Sequence, residues 1–228
     1  MNKKLLKKVF LDTIPVLSGY IVLGIGFGVI LMSRGMGLSW SVGMSTIIYA
    51  GSMQFLLAEL IGGGVSLFSI ALTTFMVNAR HFFFGISMVD TYKNTGAAKP
   101  YLIYGLTDET YSLVCNTAGL NEEERKPYYL AVTLINQIYW VVSCALGSLV
   151  GSLVKFNTEG VDFALTALFL TVFVEQWLST KDHSMALTGL LGSFACLIIF
   201  GPDSFLIPAM LLITAVLTFM RGKKEGKI

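Results

Sequence analysis

Asn78-Ala79-Arg80-His81 stands inside an apolar run from Val65 to Val89, where a bilayer would offer it no water. An Arg at the centre of a spanning helix costs roughly 2.5 to 3.5 kcal/mol on insertion scales. Such a residue needs a protein interior, a carboxylate partner or a water-filled path. A second unusual segment places Thr107, Asp108 and Glu109 side by side within another apolar stretch. On a helix, Asp108 would share a face with Tyr104, Tyr111, Ser112 and Cys115, a mostly polar stripe suited to a cavity wall. Arg80 would align with Met76, Phe83 and Phe84, a largely apolar face, so its partner must come from elsewhere. Asp108 or Glu109 can supply it, with Glu175 as another option.

A structural ion pair between Arg80 and one acid would lock helices together. It would leave the other acid and His81 without a reason to be there. Acids and histidines along a water-accessible path can relay protons, which makes Asp108, Glu109, Glu175 and His81 the proton-coupling candidates. Gly51-Ser52, at the midpoint of a third apolar run, has two readings. It lets a neighbouring helix approach closely, or it marks an unwound point whose N–H and C=O groups contact a ligand. The candidate substrate contacts are therefore Gly51, Ser52, Gln54, Asn78, Arg80, Asp108 and Glu109. Phe82-Phe83-Phe84 reads as packing. The sequence carries no P-loop, no H-E-x-x-H and no G-x-S-x-G. Cys115, Cys144 and Cys196 lie in apolar runs without metal-ligand spacing, so neither a metal nor a cofactor is expected.

The elements that must position these residues follow from composition. The chain has 228 residues, 54% hydrophobic and 13% charged, against about 25% charged in soluble domains. The mean hydropathy is +0.72. These values describe an all-α integral membrane protein, a polytopic helical bundle. Residues 1–228 read as a single transmembrane domain with short basic tails at 1–8 and 221–228. Apolar runs place eight spans at 13–32, 40–61, 65–89, 101–119, 128–153, 161–180, 184–200 and 205–220. Span 101–119 carries adjacent carboxylates, so it must be enclosed or discontinuous. If it is re-entrant, the count becomes seven.

Eight spans keep both termini cytoplasmic. The basic residues 3, 4, 7, 8, 125, 126, 181, 221, 223, 224 and 227 then lie inside, and Arg34, Lys93, Lys99 and Lys155 outside, a bias of the expected sign. The tails read as orientation signals and anionic-lipid contacts rather than nucleic-acid patches. The stretch from Ile14 to Met32 is too long for a cleaved signal peptide. Gly24-x-x-x-Gly28 offers a small-residue face for close helix contact. Asn121-x-x-Glu124 suits the start of a short capped helix. Gln54-Phe55 and Gln176-Trp177 would be equivalent positions in two structural repeats.

Four blocks carry a family resemblance. They are Gly51 to Phe55, Asn78 to Gly85, Leu106 to Tyr111, and Asp162 to Phe169 followed by Glu175-Gln176-Trp177. Together they resemble the AzlC family, the large subunits of bacterial branched-chain amino acid exporters of the LIV-E or YgaZ type. The resemblance runs over about residues 8 to 220. It implies a multi-pass protein of the bacterial plasma membrane that is not an enzyme. It implies proton-driven secondary export of Val, Leu, Ile and Met by alternating access, with a small AzlD-type membrane subunit as partner; a homo-oligomer is compatible. A zwitterion with an aliphatic side chain needs an anion contact, a cation contact and a dry pocket. Arg80 or N–H groups near Gly51-Ser52 would hold the carboxylate, Asp108 or Glu109 the ammonium, and Phe55, Phe83 or Phe84 the side chain. Two alternatives stay open: a channel or ion carrier with Arg80 as selectivity charge, and a membrane-embedded enzyme using His81 and Asp108.

Overall fold

The computed structural model describes residues 3–115, 117, 120–153, 170, 173–174, 177–178, 182–201 and 205–225. In chain order the helices are α1 (Lys3–Ser33), α2 (Leu38–Ile47), α3 (Gly51–Gly62), α4 (Leu67–Ser87), α5 (Lys99–Tyr104), α6 (Asp108–Cys115), α7 (Glu122–Leu153), α8 (Ser184–Phe200) and α9 (Leu206–Glu225). A 3-10 helix, Lys93–Ala98, precedes α5. Among the described residues there is no strand. The chain divides into two compact units, Met1–Leu165 and Thr166–Ile228.

The first unit is built on α1 and α7, whose 31 and 32 residues each extend more than about 45 Å at 1.5 Å per residue. Both are long and apolar enough to cross a membrane. They run parallel. Near their N-terminal ends Tyr128 Oη donates to Asp12 Oδ2 at 2.7 Å, and Lys8 Nζ lies 3.0 Å from the same oxygen. Farther along, glycines bring the two backbones into contact. A β-carbon on Gly28 would collide with Cys144 O and Ser148 N, and one on Gly147 with Ile25 O. Ser148 Oγ donates to Gly28 O at 3.3 Å. Gly24-x-x-x-Gly28 therefore makes the close contact expected of it.

Two broken segments enter this frame from opposite ends. α2 and α3 hold only 10 and 12 residues, about 15 to 18 Å each, too short to cross a hydrocarbon core of about 30 Å. α2 starts where α1 ends. α3 returns to the same end, where Arg34 Nη2 bonds both Glu59 oxygens at 2.7 Å. α5 and α6 form the second hairpin, from the other end. Leu102 of α5 and Val114 of α6 both pack with Leu5, Val9, Tyr92, Tyr128 and Tyr129. Segments 40–61 and 101–119 therefore fold back, instead of running from one end of the α1–α7 pair to the other as the eight-span reading had them. The physical reason is backbone accounting: each break exposes peptide groups, and a hairpin tip inside the bundle lets side chains satisfy them. α4 connects the two hairpins and runs from the α3 end to the Met88–Tyr92 end.

Capping fixes several boundaries. Ser66 Oγ accepts from Ser69 N at 3.2 Å to start α4. Thr107 Oγ1 accepts from Thr110 N at 3.3 Å to start α6. Asn121 N donates to Glu124 Oε2 at 3.3 Å, but the helix so started is the long α7, not a separate short one; Pro127 lies inside it. The α1 N-terminal end gathers Lys3, Lys4, Lys7, Lys8, Lys93, Lys99, Arg125 and Lys126, whereas the described basic residue at the opposite end is Arg34. Lys93 and Lys99 therefore lie with Arg125 and Lys126, not across from them.

In the second unit α8 packs on α9, with Gly192 close to Ile213. Trp177 stacks on His183 at 4.0 Å between ring centroids.

Candidate functional site

The tips of the two hairpins meet the middle of α1 and α7. The first break leaves Tyr49 in a left-handed conformation, φ 43°, the one described non-glycine residue with positive φ. A bulky residue there is a genuine outlier, and such strain persists only where the surroundings enforce it. Here they do. Tyr104 Oη donates to Ile47 O at 3.0 Å and to Thr46 O, and Gln137 Nε2 donates to Thr46 O at 3.4 Å. These bonds satisfy carbonyls that the end of α2 would otherwise orphan. Tyr101 Oη donates to Gln137 Oε1 at 2.8 Å and holds that amide in place. Side chains of the second hairpin and α7 thus pin the tip of the first.

The second break begins α6 with Asp108 and Glu109, both half-buried. Tyr20 Oη donates to Glu109 Oε2 at 2.9 Å and lies 3.0 Å from Thr107 Oγ1. Asn136 Nδ2 donates to Thr110 Oγ1 at 3.0 Å. One turn along α7, Trp140 Nε1 donates to Gln54 Oε1 at 2.8 Å, and its ring lies against Gly51. Tyr20 and Trp140 themselves meet edge to face at 5.1 Å. The N-terminal turns of α3 and α6 are thus held at one level by a Tyr20–Asn136–Trp140 belt.

The belt is not closed on itself. Tyr49 Oη, Gln54 Nε2 and Asn136 Oδ1 are buried without a hydrogen-bond partner among the described residues. Gln54 and Asn136 are 0% exposed and Tyr49 is 4%. Leaving a buried polar group unpaired costs about 1–3 kcal/mol, and three in one place are what a polar ligand would satisfy. The cap residue of α3 is Ala50, which supplies no side-chain cap, so the positive end of the α3 dipole faces this centre.

Gly51, Gln54 and Glu109 come together at the belt, with Ser52 and Asp108 beside them in the first turns of α3 and α6. Asn78 and His81 lie on α4, where His81 edges the Phe84 ring at 6.0 Å. Phe84 stacks on Tyr111 of α6 at 4.4 Å, and Ser87 Oγ donates to Tyr111 Oη at 3.2 Å. Position 80 is one turn before Phe84 on that helix; the Arg80 side chain, like Glu175 and Gln176, lies outside the described residues. Sequence reasoning missed Tyr20, Tyr49 and the Arg34–Glu59 pair. Asn136-Gln137 and Trp140, polar groups one turn apart in an apolar run, were a usable signal. At the basic end of the α1–α7 pair, burial first and Tyr129 second push the Tyr92 phenol above its ordinary range.

Broken helices around a polar centre, beside two helices long and apolar enough to cross a membrane, define a helical membrane protein. The chain belongs to the AzlC family: the family profile, described as AzlC protein, matches residues 15–154. It is 46% identical over 220 residues to the branched-chain amino acid transport protein AzlC of Bacillus subtilis, covering 96% of this chain and 86% of that one. It is 37% identical over 223 residues to an uncharacterized membrane protein of Haemophilus influenzae, with 97% and 91% covered. The inner membrane protein YgaZ of Escherichia coli is 28% identical over 209 residues, with 88% and 82% covered. No solved structure matches the chain. The resemblance read from the four sequence blocks is borne out.

Proposed function

We propose that this protein exports branched-chain amino acids and Met across the bacterial plasma membrane by proton-driven alternating access, binding them where α3 and α6 begin. The observation that carries this reading is the meeting of two half-helix N-termini at a buried belt, where three polar atoms have no hydrogen-bond partner among the described residues. The relative named for branched-chain amino acid transport adds the substrate class. A zwitterion fits the centre. The N–H end of α3 suits its carboxylate. Asp108 and Glu109 suit its ammonium, and Phe55 with the Trp140 ring suits its side chain. Arg80, read from the sequence as either a substrate contact or the counter-ion of one of the two acids, stands on α4 one turn before Phe84.

In this reading α1, α4 and α7 cross the membrane, and α2–α3 and α5–α6 are re-entrant. With the apolar runs 161–180, 184–200 and 205–220 also crossing, the total is six. An even number keeps both basic tails cytoplasmic. It also moves Lys93 and Lys99 inside, leaving Arg34 and Lys155 as the outside basic residues, a stronger bias than eight spans allow. α1–α2–α3 and α4–α5–α6 then form an inverted repeat, one long helix followed by a broken hairpin, the arrangement on which alternating access is often built. A small AzlD-type subunit completes the transporter.

Leucine-loaded vesicles carrying the chain and that subunit test the proposal. Leucine exit should quicken when the receiving side is acidic relative to the cytoplasmic side, and Asp108→Asn should abolish it without changing the amount inserted. Exit at the wild-type rate from Asp108→Asn vesicles would remove Asp108 from the mechanism.

A further inference from the structure

A polar cavity of about 340 Å³ lies at the end of α6 remote from the belt. Asp90, Val114, Cys115, Glu122, Arg125 and Tyr129 line it. Its wall is chemically divided. Val114 and Tyr129 are buried, as is Met88 beside them. Charged groups of both signs complete it: Asp90 and Glu122 against Arg125 and Lys126. Arg125 Nη1 pairs with Glu122 Oε1 at 2.6 Å, but Arg125 Nε is buried and has no partner among the described residues. A guanidinium bound on one edge only retains a donor for a second carboxylate.

We infer that this cavity is a cytoplasmic loading site for a free α-amino acid with an aliphatic side chain; the inference rests on the export reading above. Arg125 takes the carboxylate, Asp90 and Glu122 the ammonium, and Met88 with Val114 the side chain. The volume falls at the small end of ligand pockets, about 300–1,000 Å³, and suits one small molecule rather than a peptide. α6 has eight residues, so its two ends are about 12 Å apart. One half-helix therefore carries the loading site at its C-terminus and the central acids at its N-terminus, and substrate passes along it.

Cys115 makes the site readable. It is exposed and lines the cavity, whereas Cys144 and Cys196 are buried. The experiment is maleimide labelling of Cys115 in inside-out vesicles holding the full chain and its small subunit, with and without L-leucine. Leucine at ten times its Kd should slow labelling about tenfold, in the wild type and in Gln54→Leu, but not in Arg125→Gln. Glu122 is 79% exposed, so Arg125→Gln strands no buried charge. No slowing in the wild type overturns the site, as does slowing that survives Arg125→Gln but vanishes in Gln54→Leu. Leucine counterflow in the same vesicles separates the two proposals: counterflow without protection defeats the loading site alone, and absent counterflow defeats the export reading.

Discussion

Trp140 Nε1 donates to Gln54 Oε1 at 2.8 Å, with both residues buried where α3 begins. The bond fixes the Gln54 amide so that its Nε2 is left over for another acceptor. Trp140→Phe keeps most of the ring but removes the donor, leaving a buried acceptor unpaired at a cost of about 1–3 kcal/mol. Leucine transport should fall about tenfold or more, at unchanged membrane content, measured as initial rate per inserted protein. Wild-type transport by this variant would place the Trp140–Gln54 pair outside the binding site.

The α1–α7 contact should tolerate no added carbon at Gly28. A β-carbon there meets backbone atoms of Cys144 and Ser148, whereas one on Gly26 meets nothing within 4 Å. Overpacking costs about 1–3 kcal/mol. Gly28→Ala should therefore lower the midpoint of thermal unfolding in detergent by several degrees, and Gly26→Ala should leave it unchanged. Equal midpoints for the two would mean that the helices part easily.

Tyr49 should reveal backbone strain when two truncations are compared. Tyr49→Ala keeps a β-carbon at φ 43°, and Tyr49→Gly does not. Both remove the same phenol, so their difference isolates the backbone. Glycine should be more stable by about 1 kcal/mol. If alanine is the more stable of the two, the left-handed turn is not strained.

Much of the frame was legible because single helices declare themselves by length and apolarity. The run 184–200 matches α8 to the residue, and the run 128–153 lies wholly within α7. The Gly24–Gly28 face and the acids of α6 were legible for the same reason: small or charged residues are conspicuous in an apolar stretch. Hairpins were not. An apolar run of about twenty residues reads the same whether it crosses or turns back, because both keep side chains out of water. The turn at Ile48-Tyr49-Ala50 contains neither Gly nor Pro; tertiary bonds from Tyr104 and Gln137 hold it. Tyr20 was invisible because its role comes from Thr107 and Glu109, 87 and 89 residues away.

The hairpins predict sidedness. Cysteines placed at Lys93 and Lys126 should react with a membrane-impermeant maleimide from the same face, and one at Gly35 from the opposite face. Reaction of positions 93 and 126 from opposite faces would make α5–α6 a crossing and return the count toward eight.

The most direct test of the central site is counterflow of labelled leucine into vesicles preloaded with unlabelled leucine, comparing the wild type with Gln54→Leu. Transport through the α3–α6 centre predicts transient leucine accumulation in the wild type, competed by isoleucine and valine, and its loss in Gln54→Leu at equal protein. Accumulation no greater than in protein-free vesicles, or equal in Gln54→Leu, would contradict it.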